Sequence, residues 1–77
     1  MLLNAAVSKR ITELCNERSI SLNKLATLSG ITQSTLNSVV KCEVSSPTLK
    51  TIYYICFALN MDLASFFSSP LFQDLDD

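Results

Sequence analysis

Histidine and tryptophan are absent from this chain of 77 residues, and glycine occurs once. Without histidine, the commonest metal ligand and the commonest general base are missing. One glycine and two prolines argue against a turn-rich sandwich or barrel and favour helices. No stretch approaches the ~20 apolar residues of a membrane-spanning helix. The opening MLLNAAVSKR lacks the basic n-region and cleavage site of a secretory leader. Cys15, Cys42 and Cys56 are odd in number and occur singly, with no Cys-x-x-Cys pair. They suit neither a disulfide framework nor a zinc site. They are expected to be reduced and to serve as small apolar residues of a cytoplasmic protein.

What the chain does contain is apolar surface. Hydrophobic residues make up 48% and charged residues 17%, which excludes wholesale disorder. The length allows one domain, expected over residues 1–69, with an acidic tail over 70–77. The formal net charge of −1 hides an asymmetry. Residues 1–41 sum to +3 through Lys9, Arg10, Arg18, Lys24 and Lys41, whereas residues 42–77 sum to −4. Such a split fits a basic face for a polyanion and an acidic end kept away from it.

Apolar spacing divides the chain into five short helices, an all-α fold. Leu3, Val7, Ile11 and Leu14 form one stripe of a first helix, expected from about Asn4, as N-cap, to Arg18. Ser21 caps a second helix, Leu22 to Leu28, that turns Leu25 and Ala26 inward. Gly30 follows as a left-handed residue where a side chain would cost energy. Thr32 caps a third helix, Gln33 to Val40 or Lys41, with Leu36, Val39 and Val40 on one side. Ser46-Pro47 predicts the start of a fourth helix with Ser46 as N-cap. That helix reaches Leu59, with Leu49, Ile52, Ile55, Cys56 and Leu59 inward and Asn60 as its left-handed cap. Asp62 caps a fifth, Leu63 to Phe67.

Two short helices joined by a tight glycine-containing turn describe a helix-turn-helix. Small Ala26 lets the helices cross closely, and Ile31 and Leu36 fill the angle between them. Opposite Leu36 and Val39, the third helix offers Ser34, Asn37, Ser38 and Lys41, with Gln33 at its N-terminus. Gln33 and Asn37 have no evident structural task.

The segments Leu25-Ala26, Ser29-Gly30-Ile31-Thr32-Gln33-Ser34-Thr35-Leu36 and Pro47-Thr48-Leu49 resemble, in order and spacing, the phage-repressor-like (Cro/Xre-type) helix-turn-helix DNA-binding proteins. The resemblance covers about residues 4 to 68. It implies a lambda-repressor-like five-helix domain whose third helix enters the major groove of double-stranded DNA. Carried onto matching positions, Gln33, Ser34, Asn37 and Ser38 would read bases. Ser21, Asn23, Lys24, Thr35, Lys41, Ser45 and Ser46 would hold phosphates. Ser21 and Ser46 have a competing task as caps, and Lys24 as a solvated charge.

The chain departs from the family pattern at three places. Cys42 and Asn60 stand where many relatives have glycine. Cys15 and Val40 stand where a number of relatives have a bonded arginine and acid. An apolar pair can replace such an ion pair without loss of stability. The acidic pI of about 5.1 weakens non-specific affinity for DNA.

The function implied is a sequence-specific transcriptional regulator, a repressor, working as a homodimer without cofactor or evident small-molecule effector. Tyr54, Phe57, Phe67, Leu71, Phe72 and Leu75 are left over once the core is filled, and are expected either to form the dimer interface or, for Leu71 and Phe72, to cover their own core. An antitoxin-like or adaptor module on the same fold is the alternative, favoured by the pI and by Tyr53, Tyr54 and Phe57. An enzyme is not expected, since no carboxylate pair falls in a plausible cleft and the serines lack a base.

Overall fold

Apolar residues three and four apart coil into α1 (Leu3–Glu17), α2 (Leu22–Ser29), α3 (Gln33–Val40), α4 (Leu49–Ala58) and α5 (Leu63–Phe67), followed by a 3-10 turn at Pro70–Phe72. This is a computed structural model that describes residues 1–44 and 46–77, among which there is no strand. Ile11, Leu25, Ile55 and Phe66 are fully buried, with Leu14, Leu36, Ile52 and Cys56 beside them. α3 packs on α1 and α2, and α4 packs on α2 and α5. None of the described helices is long and apolar enough to cross a membrane.

The helix ends follow capping chemistry. Ser21 Oγ accepts from Lys24 N–H at 3.0 Å and Thr32 Oγ1 from Thr35 N–H at 3.1 Å, each satisfying an orphan donor. Asp62 Oδ1 accepts from Ser65 N–H at 2.8 Å. The Ser65 hydroxyl and N–H hold the Asp62 carboxyl below its ordinary range. The cap is therefore fully present above that range and is lost as acid protonates it.

Three expected positions differ. α1 begins at Leu3, with Leu2 rather than Asn4 at the N-cap position and no capping side chain of its own. The Asp77 carboxylate accepts from Leu3 N–H at 2.8 Å instead, and Asn4 Nδ2 donates to the Val44 carbonyl at 3.3 Å. α4 begins two residues after the expected start, because Thr48, not Ser46, is its cap: Thr48 Oγ1 accepts from Thr51 N–H at 3.1 Å. Leu49 is not inward but 65% exposed, because the covered stripe of α4 begins a turn later, at Ile52.

Two arginines counted toward the basic face serve the fold. Arg10 Nε donates to the Phe66 carbonyl at 2.7 Å and Nη2 to the Ser65 carbonyl at 2.8 Å, while Nη1 pairs with Glu13 at 2.6 Å. A cation on the last carbonyls of α5 is favourable both as a charge-assisted hydrogen bond and against the helix dipole. Arg18 Nη2 donates to the Leu59 carbonyl at 3.3 Å, at the end of α4. The Ser8 hydroxyl donates to the Val40 carbonyl at 2.6 Å, tying α3 to α1. Cys15 is buried in the core and Val40 is half-buried against it. Burial pushes the Cys15 and Cys56 thiols up, so both stay protonated and act as small apolar groups.

Gly30 has φ 70° and Cys42 has φ 58°. A Cβ at Gly30 would meet nothing within 4 Å, so Gly30→Ala carries only the backbone penalty, about 1 kcal/mol. At Cys42 the side chain already bears that penalty, and Cys42→Gly is expected to stabilise by about 0.5–1 kcal/mol. Urea midpoints of the two variants should shift in opposite directions; shifts of the same sign would contradict the backbone explanation.

Candidate nucleic-acid interface

The left-handed turn at Gly30 ends α2, its N–H bonding back to the Thr27 carbonyl at 3.3 Å. Ile31, half-buried against the core, and the Thr32 cap then start α3. Buried Leu36 and Val39 hold α3 inward, which turns the opposite side outward. Gln33, Ser34 and Asn37 are exposed there, and Ser38 is half-buried.

Thr35 is also exposed. Thr32 Oγ1 donates to Thr35 Oγ1 at 2.8 Å, which leaves the Thr35 hydroxyl proton free to donate outward. Ser21 likewise accepts as a cap and retains its own proton. Asn23 and Lys24 on α2, Lys41 just past α3, and Ser46 are all exposed. Ser45 lies outside the described residues.

Beside α3 lies a cleft of about 280 Å³. Ser34, Thr35, Ser38 and Val39 of α3 line it together with Val44, Ser46, Pro47, Thr48 and Thr51. Thr48, Thr51 and Val44 were not among the site residues expected from sequence. The signal that could have found the first two is the Thr-x-x-Thr spacing of a helix N-terminus. The serine and threonine residues of this largely apolar lining can contribute hydroxyl donors to the oxygens of a polyanion. Lys24 and Lys41 are the exposed cations among the expected phosphate contacts, whereas Arg10 and Arg18 are engaged with backbone carbonyls.

The residues expected at a dimer interface divide into two groups. Tyr54, Phe57 and Phe67 are 38%, 75% and 37% exposed. Leu71, Phe72 and Leu75 are half-buried, with Phe72 against the core and its ring 4.9 Å from that of Phe67. The tail that carries Leu75 is tied back to α1 by the Asp77 bond described above and by Asp76 N–H to the Met1 carbonyl at 3.1 Å.

The sequence profile of the Cro/C1-type HTH DNA-binding domain matches residues 10–68. Over 65 residues the chain is 31% identical to the HTH-type transcriptional regulator PuuR of Escherichia coli (strain K12), and equally to that of Shigella flexneri. The match covers 84% of this chain and 35% of each relative, so the chain spans about a third of the length of these curated relatives. Prophage Lp1 protein 11, in its crystal structure, superposes with a TM-score of 0.85 at 30% identity, over 97% of this chain and 100% of that one.

Proposed function

The chain belongs to the Cro/C1-type helix-turn-helix DNA-binding domain family, and we propose that it is a sequence-specific transcriptional repressor whose α3 reads the major groove of double-stranded DNA. The observation that carries this reading is the outer face of α3. Gln33, Ser34 and Asn37 stand exposed on it, where a merely solvated helix more often shows lysine and glutamate. Gln33 and Asn37 can each pair bidentately with an adenine edge, and Ser34 and Ser38 add less selective contacts.

Ser21, Asn23, Lys24, Thr35, Lys41, Ser45 and Ser46 are assigned to the phosphates on either side. Thr48 and Thr51 join them across the cleft. Phosphate contacts set register, and base contacts set sequence. With a formal net charge of −1, the chain has little general attraction for DNA. Discrimination must come from the base-reading face, and two half-sites read by two copies would supply the affinity that one short helix lacks.

Selection of bound sequences from random DNA tests the proposal, because it returns the half-site and its symmetry together. Enrichment of no sequence would sink it. Lys41→Ala then separates the two kinds of contact. It is expected to weaken all DNA sequences about equally and to lower the slope of log affinity against log salt by about one. Measured at two salt concentrations, an unchanged slope would remove Lys41 from the phosphate set.

The exposed α4 aromatics favour a second reading, a module that holds a protein partner. Binding that does not weaken with salt would point to it.

A further inference from the structure

Across α1 from α3 lies a second groove, of about 420 Å³. Met1, Pro70 and Leu71 line it with apolar surface, and Glu13 and Asp74 line it with carboxylates. Its place follows from the rotation of α1. Asn4 bonds the Val44 carbonyl and Ser8 the Val40 carbonyl, so that side of α1 meets α3 and the loop after it. Glu13 is five residues beyond Ser8, about 140° round the helix at ~100° per residue. It pairs there with Arg10, whose other nitrogens hold the Ser65 and Phe66 carbonyls of α5. The groove is therefore turned away from α3.

Negative charge is in excess around it. Glu13 is paired with Arg10, whereas Asp74 makes no ion pair among the described residues. At the Met1 side, Asp76 pairs with the Met1 amine at 2.8 Å and Asp77 accepts from Leu3 N–H at 2.8 Å. Lys9, one turn before Glu13, pairs with neither Glu13 nor Asp74.

Two polar groups complete the lining, Ser69 and Gln73. Ser69 is only 8% exposed. Its Oγ accepts from Leu71 N–H at 3.2 Å, and among the described residues its own proton goes to no acceptor. The exposed Gln73 amide offers both a donor and an acceptor.

We propose that this groove binds a short segment of another protein, one that carries an apolar side chain next to lysine or arginine. The apolar lining takes the first, and the carboxylates attract the second. The Ser69 proton and the Gln73 amide match the carbonyl and N–H of the segment's backbone. The same carboxylates repel a nucleic acid or an anionic membrane, and a bare cation would leave the apolar lining in water. The volume lies within the ~300–1,000 Å³ of compact ligand sites, so a short peptide is expected to bind with a Kd on the order of 100 µM. Only one consequence rests on the DNA-binding reading above: the segment and a DNA duplex can be held at once, on opposite sides of α1.

The test uses the full chain and a display library of random linear hexapeptides. Peptides with lysine or arginine beside leucine, isoleucine, methionine or phenylalanine are expected to be enriched. An enriched peptide, titrated into isotope-labelled protein, should move the NMR amide signals of Glu13, Leu71, Gln73 and Asp74 and leave those of α3 and α4 in place. Asp74 has φ 56°, a conformation that asparagine also tolerates. Asp74→Asn should therefore keep the parent melting temperature, while weakening the peptide about 2- to 5-fold. The DNA duplex selected above should change peptide affinity by less than roughly two-fold, as distant sites do.

Enrichment of no peptide, or of acidic or wholly polar ones, would overturn the proposal. So would signals that move chiefly at the α4 aromatics, an Asp74→Asn variant that binds the peptide as the parent does, or displacement of the peptide by DNA. A chain that binds the peptide in this groove but enriches no DNA sequence would support the groove and overturn the DNA-binding reading instead.

Discussion

Phe66→Ala is expected to destabilise the domain by about 3–5 kcal/mol, the usual loss for a buried aromatic ring. For a chain of 77 residues, total stability is on the order of 4–12 kcal/mol, so the variant should be close to unfolding at 37 °C. Three things depend on this ring. It is fully buried. It packs edge-on to Phe67 at 5.0 Å and lies 6.1 Å from Phe72, which joins the 3-10 turn to the core. The Arg10 guanidinium lies 5.9 Å from its centre while bonding the Phe66 carbonyl. Removing the ring opens a cavity and loosens the seat of Arg10. Phe67→Ala, at a position 37% exposed, should cost far less. Urea unfolding of the two variants checks this, and equal losses would show that the aromatic cluster, not the buried ring, carries the stability.

The role of Phe66 also marks the boundary of what the sequence discloses. The helices of the domain could be read because their signals are local. Ile52, Ile55, Cys56 and Leu59 recur at helical spacing, Ser21, Thr32 and Asp62 cap the turns that follow them, and Gly30 and Asn60 take the left-handed positions expected of them. Arg10 could not be read in this way. Composition counts its charge, whereas its function depends on the carbonyls of Ser65 and Phe66, more than 50 residues away. The cap of α1 is equally non-local, since Asp77 supplies it from the other end of the chain.

Thr48 is a different case. Ser46-Pro47 is a sound helix start taken alone, but Thr48 with Thr51 makes a better one two residues on, and two overlapping local signals are not ranked by sequence. On α3, residue types disclosed which side is polar. The cleft was not disclosed, because it depends on where the first turn of α4 comes to rest beside α3.

The most direct measurement is the binding of Gln33→Ala and Asn37→Ala to the selected DNA and to its single-base variants. Both side chains are exposed, so neither substitution should move the melting temperature by more than a small amount. Each is expected to lose about 1–3 kcal/mol of discrimination, roughly 5- to 150-fold, and to lose it at one base position of the half-site. The two positions should differ, since Gln33 stands at the start of α3 and Asn37 one turn further on. Outside those positions the pattern of base preference should be that of the parent. If both variants keep the parent melting temperature and still discriminate at every position as the parent does, α3 does not read the bases.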